Sequence, residues 1–167
     1  MVFVHTCTKS QTKTLKVGLS MSNVKNLLAH KSNAIIHVSP RQVVVDALQQ
    51  MRDNRVRSVL VMEEGILVGI ITQGDCAIKV LLPGLDAQKT PVSQVMTHKP
   101  VTVKLEDPLD GCMALMATRG FRHLPVLDAN QVVGVVSIGD VVKDIIQNLE
   151  RNVDDLMGYI LTDSPGG

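Results

Sequence analysis

The chain carries one unit twice. Displaced by 65 residues, residues 57–75 fall on residues 122–140, with six of the nineteen positions identical and seven more closely similar. The stretch Val68-Gly69-Ile70-Ile71-Thr72-Gln73-Gly74-Asp75 overlies Val133-Gly134-Val135-Val136-Ser137-Ile138-Gly139-Asp140. Upstream, residues 24–31 match residues 92–99, but at a displacement of 68. A unit of this size cannot bury its own apolar face, so two copies in one chain must pack on each other.

Each copy parses alike. A short apolar strand (35–38; 101–103) leads into a helix over 42–53 or 107–118. Val44, Ala47, Leu48 and Met51, and Leu109, Cys112, Met113 and Met116, recur there at helical spacing. Ser39-Pro40 and Asp107-Pro108 offer an N-cap followed by proline in the first turn. Two apolar strands follow, joined at Glu63-Glu64-Gly65 and Asp128-Ala129-Asn130. A second helix starts after Thr72 or Ser137. The order is β-α-β-β-α twice, an α/β (α+β) chain. The spacing divides it into an N-terminal arm, 1–22, a first repeat, 23–82, and a connector, 83–97. A second repeat, 98–149, and a helix end and tail, 150–167, complete it. Met51, Met113 and Met116 read as core.

Composition closes off several functions. Seventeen Lys+Arg against sixteen Asp+Glu leave a formal charge of +1, and the aromatic residues are one Tyr and two Phe with no Trp. Neither an electrostatic groove nor a stacking platform for nucleic acid is present. No apolar run is long enough to span a bilayer. Cys7, Cys76 and Cys112 are scattered, which predicts no metal site or disulfide framework and a reducing compartment. That compartment is expected to be the cytoplasm, or an organelle matrix if the acid-free arm is a targeting segment.

The repeated Gly-x-x-[Thr/Ser]-x-Gly-Asp has two physical readings. A helix start offers unpaired N–H groups to a phosphate, the glycine allows close approach, and an ionised Asp accepts from both hydroxyls of a vicinal diol. Alternatively, Thr72 and Ser137 cap their helices, and Asp75 and Asp140 complement the helix dipole. Both readings stand at this level. Arg57 and Arg122 are candidates for phosphate oxygens. His123 has no nucleophile or paired carboxylate beside it in the repeat, which predicts binding rather than catalysis.

With Arg122-His123-Leu124-Pro125-Val126 ahead of the second motif and Val92-Ser93-Gln94-Val95-Met96-Thr97 leading into the second copy, residues 23–148 resemble a CBS-domain pair. The resemblance implies a Bateman-type module: two CBS repeats packed sheet to sheet about a pseudo-two-fold axis, with two clefts between them. It implies no enzyme and no required cofactor. It implies a regulatory module sensing an adenosine nucleotide (AMP above all, or ADP, ATP or a related adenosyl ligand) and signalling to a partner protein. The alternative is an assembly protein with empty clefts. Carried over by position, one cleft would join Asp75 and Thr72 to the backbone at Ile35 and Ile36, with Arg122 and His123 near phosphate. The other would join Asp140 and Ser137 to Pro100 and Val101, with Arg57. Ser58 replaces the histidine of the second copy, so the Asp75 cleft should bind more tightly. A homodimer is expected, with Val44, Leu48, Met51, Ala114 and Leu115 supplying its helix surface.

Overall fold

The computed structural model describes residues 22–31 and 34–162. The arm assigned to residues 1–22 therefore lies, but for Ser22, outside the described residues, as does Cys7. The order is α1 (Val24–Ala29), β1 (His37–Val38), α2 (Val44–Asp53), β2 (Ser58–Glu63), β3 (Ile66–Thr72) and α3 (Gln73–Cys76), which continues as a π-helical turn, Ala77–Leu81. Then come α4 (Val92–Val95), β4 (Thr97–His98), β5 (Val103–Lys104), α5 (Leu109–Arg119), β6 (His123–Asp128), β7 (Gln131–Ser137) and α6 (Ile138–Thr162).

The duplication survives in the hydrogen bonding. β1 runs parallel to β2, and β2 antiparallel to β3; β5, β6 and β7 repeat this pattern. Both hairpins carry a register shift at the same place, between Val61 and Met62 and between Val126 and Leu127. Their two-residue turns are left-handed at both positions, Glu64 with Gly65 and Ala129 with Asn130, the backbone that suits twisted hairpin strands. Leu60, Ile70 and Val132 are buried together between the two sheets, with Leu67, Leu127 and Val135 around them.

The helices that precede each copy cross over. Val24, Leu27 and Leu28 of α1 are buried in the second repeat's core with Val103, Cys112 and Val136. Val92 and Val95 of α4 are buried in the first repeat's core with Val38, Met51 and Ile71. Backbone bonds fix both crossings: Val24 N–H donates to Asp107 O and Lys25 N–H to Leu105 O, while Val92 N–H donates to Gln42 O and Ser93 N–H to Pro40 O. Glycine permits the approach. A Cβ on Gly69 would lie 2.5 Å from Met96 Sδ, and one on Gly134 would lie 3.0 Å from Leu28 Cδ2.

Three expectations are corrected. The first helices begin at Val44 and Leu109, with Val43 and Pro108 at the N-cap, because the residues after Ser39 and those before Asp107 form a turn instead. Ser39 N–H donates to Gln42 Oε1, and Lys104 N–H to Asp107 Oδ2. Met113 is 37% exposed, on the outer face of α5, while Met51 and Met116 are core. Val44 and Met51 are fully buried in their own repeat, so neither can supply a dimer surface. Cys76 and Cys112 are buried free thiols, and burial pushes the Cys76 thiol up to about 11.

Candidate functional site

The crossings decide which residues meet. Chain leaving α4 in the first repeat must travel to β5 in the second, and on the way it passes the β3–α3 junction. There Thr72, Asp75, Thr97, Lys99, Pro100 and Val101 line one cleft of about 570 Å3. Arg57, beside Thr72 on the neighbouring strand's approach, and Phe121, Arg122 and His123 of the second repeat complete the wall. Thr72, Asp75, Arg122, His123, Pro100, Val101 and Arg57 are thus brought together, whereas the sequence reading had split them between two clefts. Ile35 and Ile36 are not in this cleft. Ile36 packs on the first core and its carbonyl accepts from Leu60 N–H, while Ile35 is 39% exposed.

At the junction Thr72 is the N-cap of α3. Thr72 Oγ1 accepts from Asp75 N–H at 3.1 Å, and Asp75 Oδ2 accepts from Thr72 N–H at 3.0 Å and from its hydroxyl at 2.7 Å. Both halves of a capping box are therefore present. Lys79, one turn on, donates to Asp75 Oδ1 at 2.7 Å and to Val95 O at 2.8 Å. Three donors occupy the carboxylate, which has about four acceptor positions. The capping role is real, and acceptor capacity remains for a further donor. Next to it, a Cβ on Gly74 would meet only Thr72 Oγ1, at 3.7 Å, so this flank is open space.

The second junction repeats the geometry with a different cation. Ser137 N–H and Oγ–H donate to Asp140 Oδ2 at 2.9 and 2.7 Å. Position 79 corresponds to Asp144, so no lysine stands four residues on from Asp140. Instead Lys31, arriving from α1, donates to Asp140 Oδ2 at 2.7 Å and to Val135 O at 3.0 Å. Burial raises the Asp140 pKa, but the hydrogen bonds from Lys31 and Ser137 outweigh it and hold the group below the ordinary carboxylate value. Asp140's cleft thus already holds an ammonium from its own chain.

The Asp75 cleft is cationic. Among the described residues no carboxylate pairs with Arg57, Lys99 or Arg122. Burial lowers the His123 pKa, opposed by Asp140 and assisted by Lys31, Arg122 and Arg57, so the imidazole is neutral at neutral pH. Lys99 stands at φ +46°, a conformation that costs a non-glycine residue on the order of 1 kcal/mol. Sequence reasoning missed Lys99, and it missed Lys31 as the partner of Asp140. Their match at the 68-residue displacement was the available signal.

The family profile of the CBS domain matches residues 24–81 and 92–147. This chain belongs to the CBS-domain family. It is 34% identical over 128 residues to the CBS domain-containing protein YhcV of Bacillus subtilis, covering 77% of this chain and 89% of that one. The solved CBS domain of NE2398 is 38% identical, with a TM-score of 0.72, covering 75% of this chain and 98% of that one. The CBS domain pair of MJ0100, solved with 5′-methylthioadenosine and S-adenosyl-L-methionine, is 25% identical with a TM-score of 0.67, covering 75% and 96%. Other relatives are longer. The chain spans 59% of the mitochondrial protein CBSX3 of Arabidopsis thaliana. No helix among the described residues is long and apolar enough to cross a membrane.

Proposed function

We propose that this CBS pair is a regulatory module that binds an adenosine nucleotide, AMP in the first instance, in the Asp75 cleft and passes its occupancy to a partner protein. The carrying observation is the convergence of Arg57, Lys99 and Arg122, all without an acidic partner among the described residues, on a cleft that both repeats build. Unpaired cations lining a concavity favour an anion, and a volume of about 570 Å3 suits a small molecule. Ile70, Val101 and Phe121 supply apolar wall for a base, and Asp75 has acceptor capacity for a ribose hydroxyl. Thr72 serves ribose or phosphate, the Pro100–Val101 backbone meets adenine, and Arg57, Lys99, Arg122 and His123 meet phosphate. In the other cleft Asp140 and Ser137 are the corresponding pair, with Ile35 and Ile36 on the incoming chain, and a ribose there would share Asp140 with Lys31. The adenosyl ligands of the MJ0100 pair support the choice of class.

Because the cleft draws on both repeats, a ligand stabilises one packing of the pair over others, and that shift in population is the signal. Turnover forms no part of this reading, nor does nucleic acid, a membrane or a required cofactor. The protein acts as a homodimer in the cytoplasm, or in an organelle matrix if residues 1–22 prove to be a targeting segment.

Thermal denaturation with AMP, ADP, ATP, S-adenosylmethionine, adenosine and inorganic phosphate tests it. A ligand at a hundred times its Kd stabilises by about 2.7 kcal/mol, a rise of several degrees for a chain of this size. AMP should raise Tm more than adenosine or phosphate alone. No shift with any adenosine compound leaves the module as an assembly protein with empty clefts.

A further inference from the structure

Both junctions carry a bridge that the repeated motif does not contain. At the first, Lys79 Nζ donates to Asp75 Oδ1 at 2.7 Å and to Val95 O, at the end of α4, at 2.8 Å. At the second, Lys31 Nζ donates to Asp140 Oδ2 at 2.7 Å and to Val135 O, in β7, at 3.0 Å. The two lysines stand at different places in the repeat: position 79 corresponds to Asp144, and position 31 to Lys99. Duplication of a cap therefore does not account for the likeness. Each bridge fastens a junction aspartate to the chain that crosses between the repeats. The first leads directly to a cleft wall. Val95 is buried in the first core, and the chain beyond it runs past Met96, close against Gly69, to Thr97, Lys99, Pro100 and Val101 at the cleft. Lys99 N–H donates to Val68 O at 3.2 Å, which holds this chain along β3. Lys79 itself does not line the cleft. It sits in the π-helical turn Ala77–Leu81, where Leu82 N–H donates to Ala77 O, whereas residues 142–146 of the second copy continue as α-helix. Turns of this kind recur at functional sites.

We propose that Lys79 is a positioning residue of the Asp75 cleft: it clamps the crossing chain, residues 96–101, to the carboxylate, so that occupancy of the carboxylate is felt along that chain. Built on the nucleotide reading above, the clamp supplies the route by which a bound ribose reaches the link between the repeats. Both Thr72 donors fill Asp75 Oδ2, so an incoming hydroxyl shares Oδ1 with Lys79. A ligand that touches Asp75 and the Pro100–Val101 backbone together holds both ends of the clamp. Loss of Lys79 frees the crossing chain to leave the binding-competent position, and the apparent affinity falls with the competent fraction.

Lys79→Met keeps the length of the side chain and removes both donations. Hydrogen exchange of the ligand-free full chain should show the Lys99 amide exchanging about fivefold faster in this variant, with the amides of β7 unchanged. Calorimetric titration should show Kd raised about fivefold for AMP, and by the same factor for adenosine, because Lys79 acts through the carboxylate and the crossing chain and not on phosphate. Lys79→Arg, which can donate to both acceptors, should return exchange and affinity to within about twofold of wild type. Lys89→Met removes an exposed ammonium elsewhere and should change neither. A loss for AMP alone would make Lys79 a charge acting on phosphate and would overturn the clamp. So would an AMP Kd within twofold of wild type in Lys79→Met, an unchanged exchange rate at Lys99, or a Lys79→Arg that behaves like Lys79→Met. Wild-type protein that binds neither AMP nor adenosine sinks the nucleotide reading instead, and exchange at Lys99 in the ligand-free variants then decides the clamp alone.

Discussion

Asp75→Ala separates the two roles that one carboxylate can hold. In the free protein the side chain accepts from the backbone and hydroxyl of Thr72 and from Lys79. Loss of the cap costs about 1 kcal/mol. Lys79 is 43% exposed, so its pair contributes at most a further ~1 kcal/mol after solvent screening. The sum, about 1–2 kcal/mol, lowers Tm by roughly 2–8 °C. If Asp75 also holds ribose, a hydrogen bond to a charged group is lost on binding, about 1.5–3 kcal/mol, and the AMP Kd rises roughly ten- to a hundredfold or more. Calorimetric titration well below the lowered Tm reads the second effect without the first. Thr72→Val is the control, because it removes the hydroxyl cap and keeps the carboxylate. It should cost similar stability but less than about tenfold in affinity. A drop in Tm with an AMP Kd unchanged within twofold in Asp75→Ala would make the aspartate a helix cap alone and would refute the ribose assignment.

Asp140→Ala should weaken AMP at the tighter site by less than about threefold, since Lys31 already holds that carboxylate; a loss exceeding that of Asp75→Ala in calorimetry reverses the ranking of the clefts. Burial keeps His123 below its ordinary pKa of 6.5, and a phosphate beside it favours the imidazolium. Binding therefore takes up a proton, and affinity relative to His123→Gln should rise as pH falls from 8 towards 6; parallel pH profiles of the two proteins would remove His123 from the phosphate site. Gly69→Ala places a Cβ against Met96 and Thr97 O and should destabilise by about 1–3 kcal/mol, while Gly74→Ala, with open space around it, should leave Tm in place. Equal Tm losses in the two variants would show that the crossing helix is not held as close as the structure has it.

The repeat was legible because identities such as Val68-Gly69 with Val133-Gly134 and Gly74-Asp75 with Gly139-Asp140 survive without a gap, and the hairpins and caps follow from local chemistry. The crossing was not. Val24, Leu27 and Leu28 are equally apolar whichever sheet they cover, and local patterning carries no label for the far end of a contact. Carried over by position within each copy, Ile35 and Ile36 went to Asp75, and Pro100 and Val101 to Asp140. One trace of the crossing does lie in the sequence: the displacement changes from 68 to 65 between Lys31 and Ile35. An insertion of three residues is tolerated where chain spans two units, and less readily where it is locked inside one. The dimer surface was misread for a related reason. Val44 and Met51 have helical spacing, but so does any core helix, and periodicity gives the existence of an apolar face without saying what already covers it.

The same crossing explains why a duplicated motif yields unequal clefts. Each junction fixes its aspartate with a Ser or Thr cap, and each then draws an ammonium to the carboxylate. In the first copy that ammonium is Lys79, from the same helix, tethered also to Val95 O, so the incoming chain at Lys99 keeps its charge unpaired in the cleft. In the second copy the helix offers Asp144 instead, and the incoming chain itself supplies Lys31. The cation that remains available to a ligand in one cleft is the cation already spent on the aspartate in the other. A single exchange of Lys for Asp one turn along a helix thus goes with a change in the source of the ammonium, from the helix itself at Asp75 to the incoming chain at Asp140.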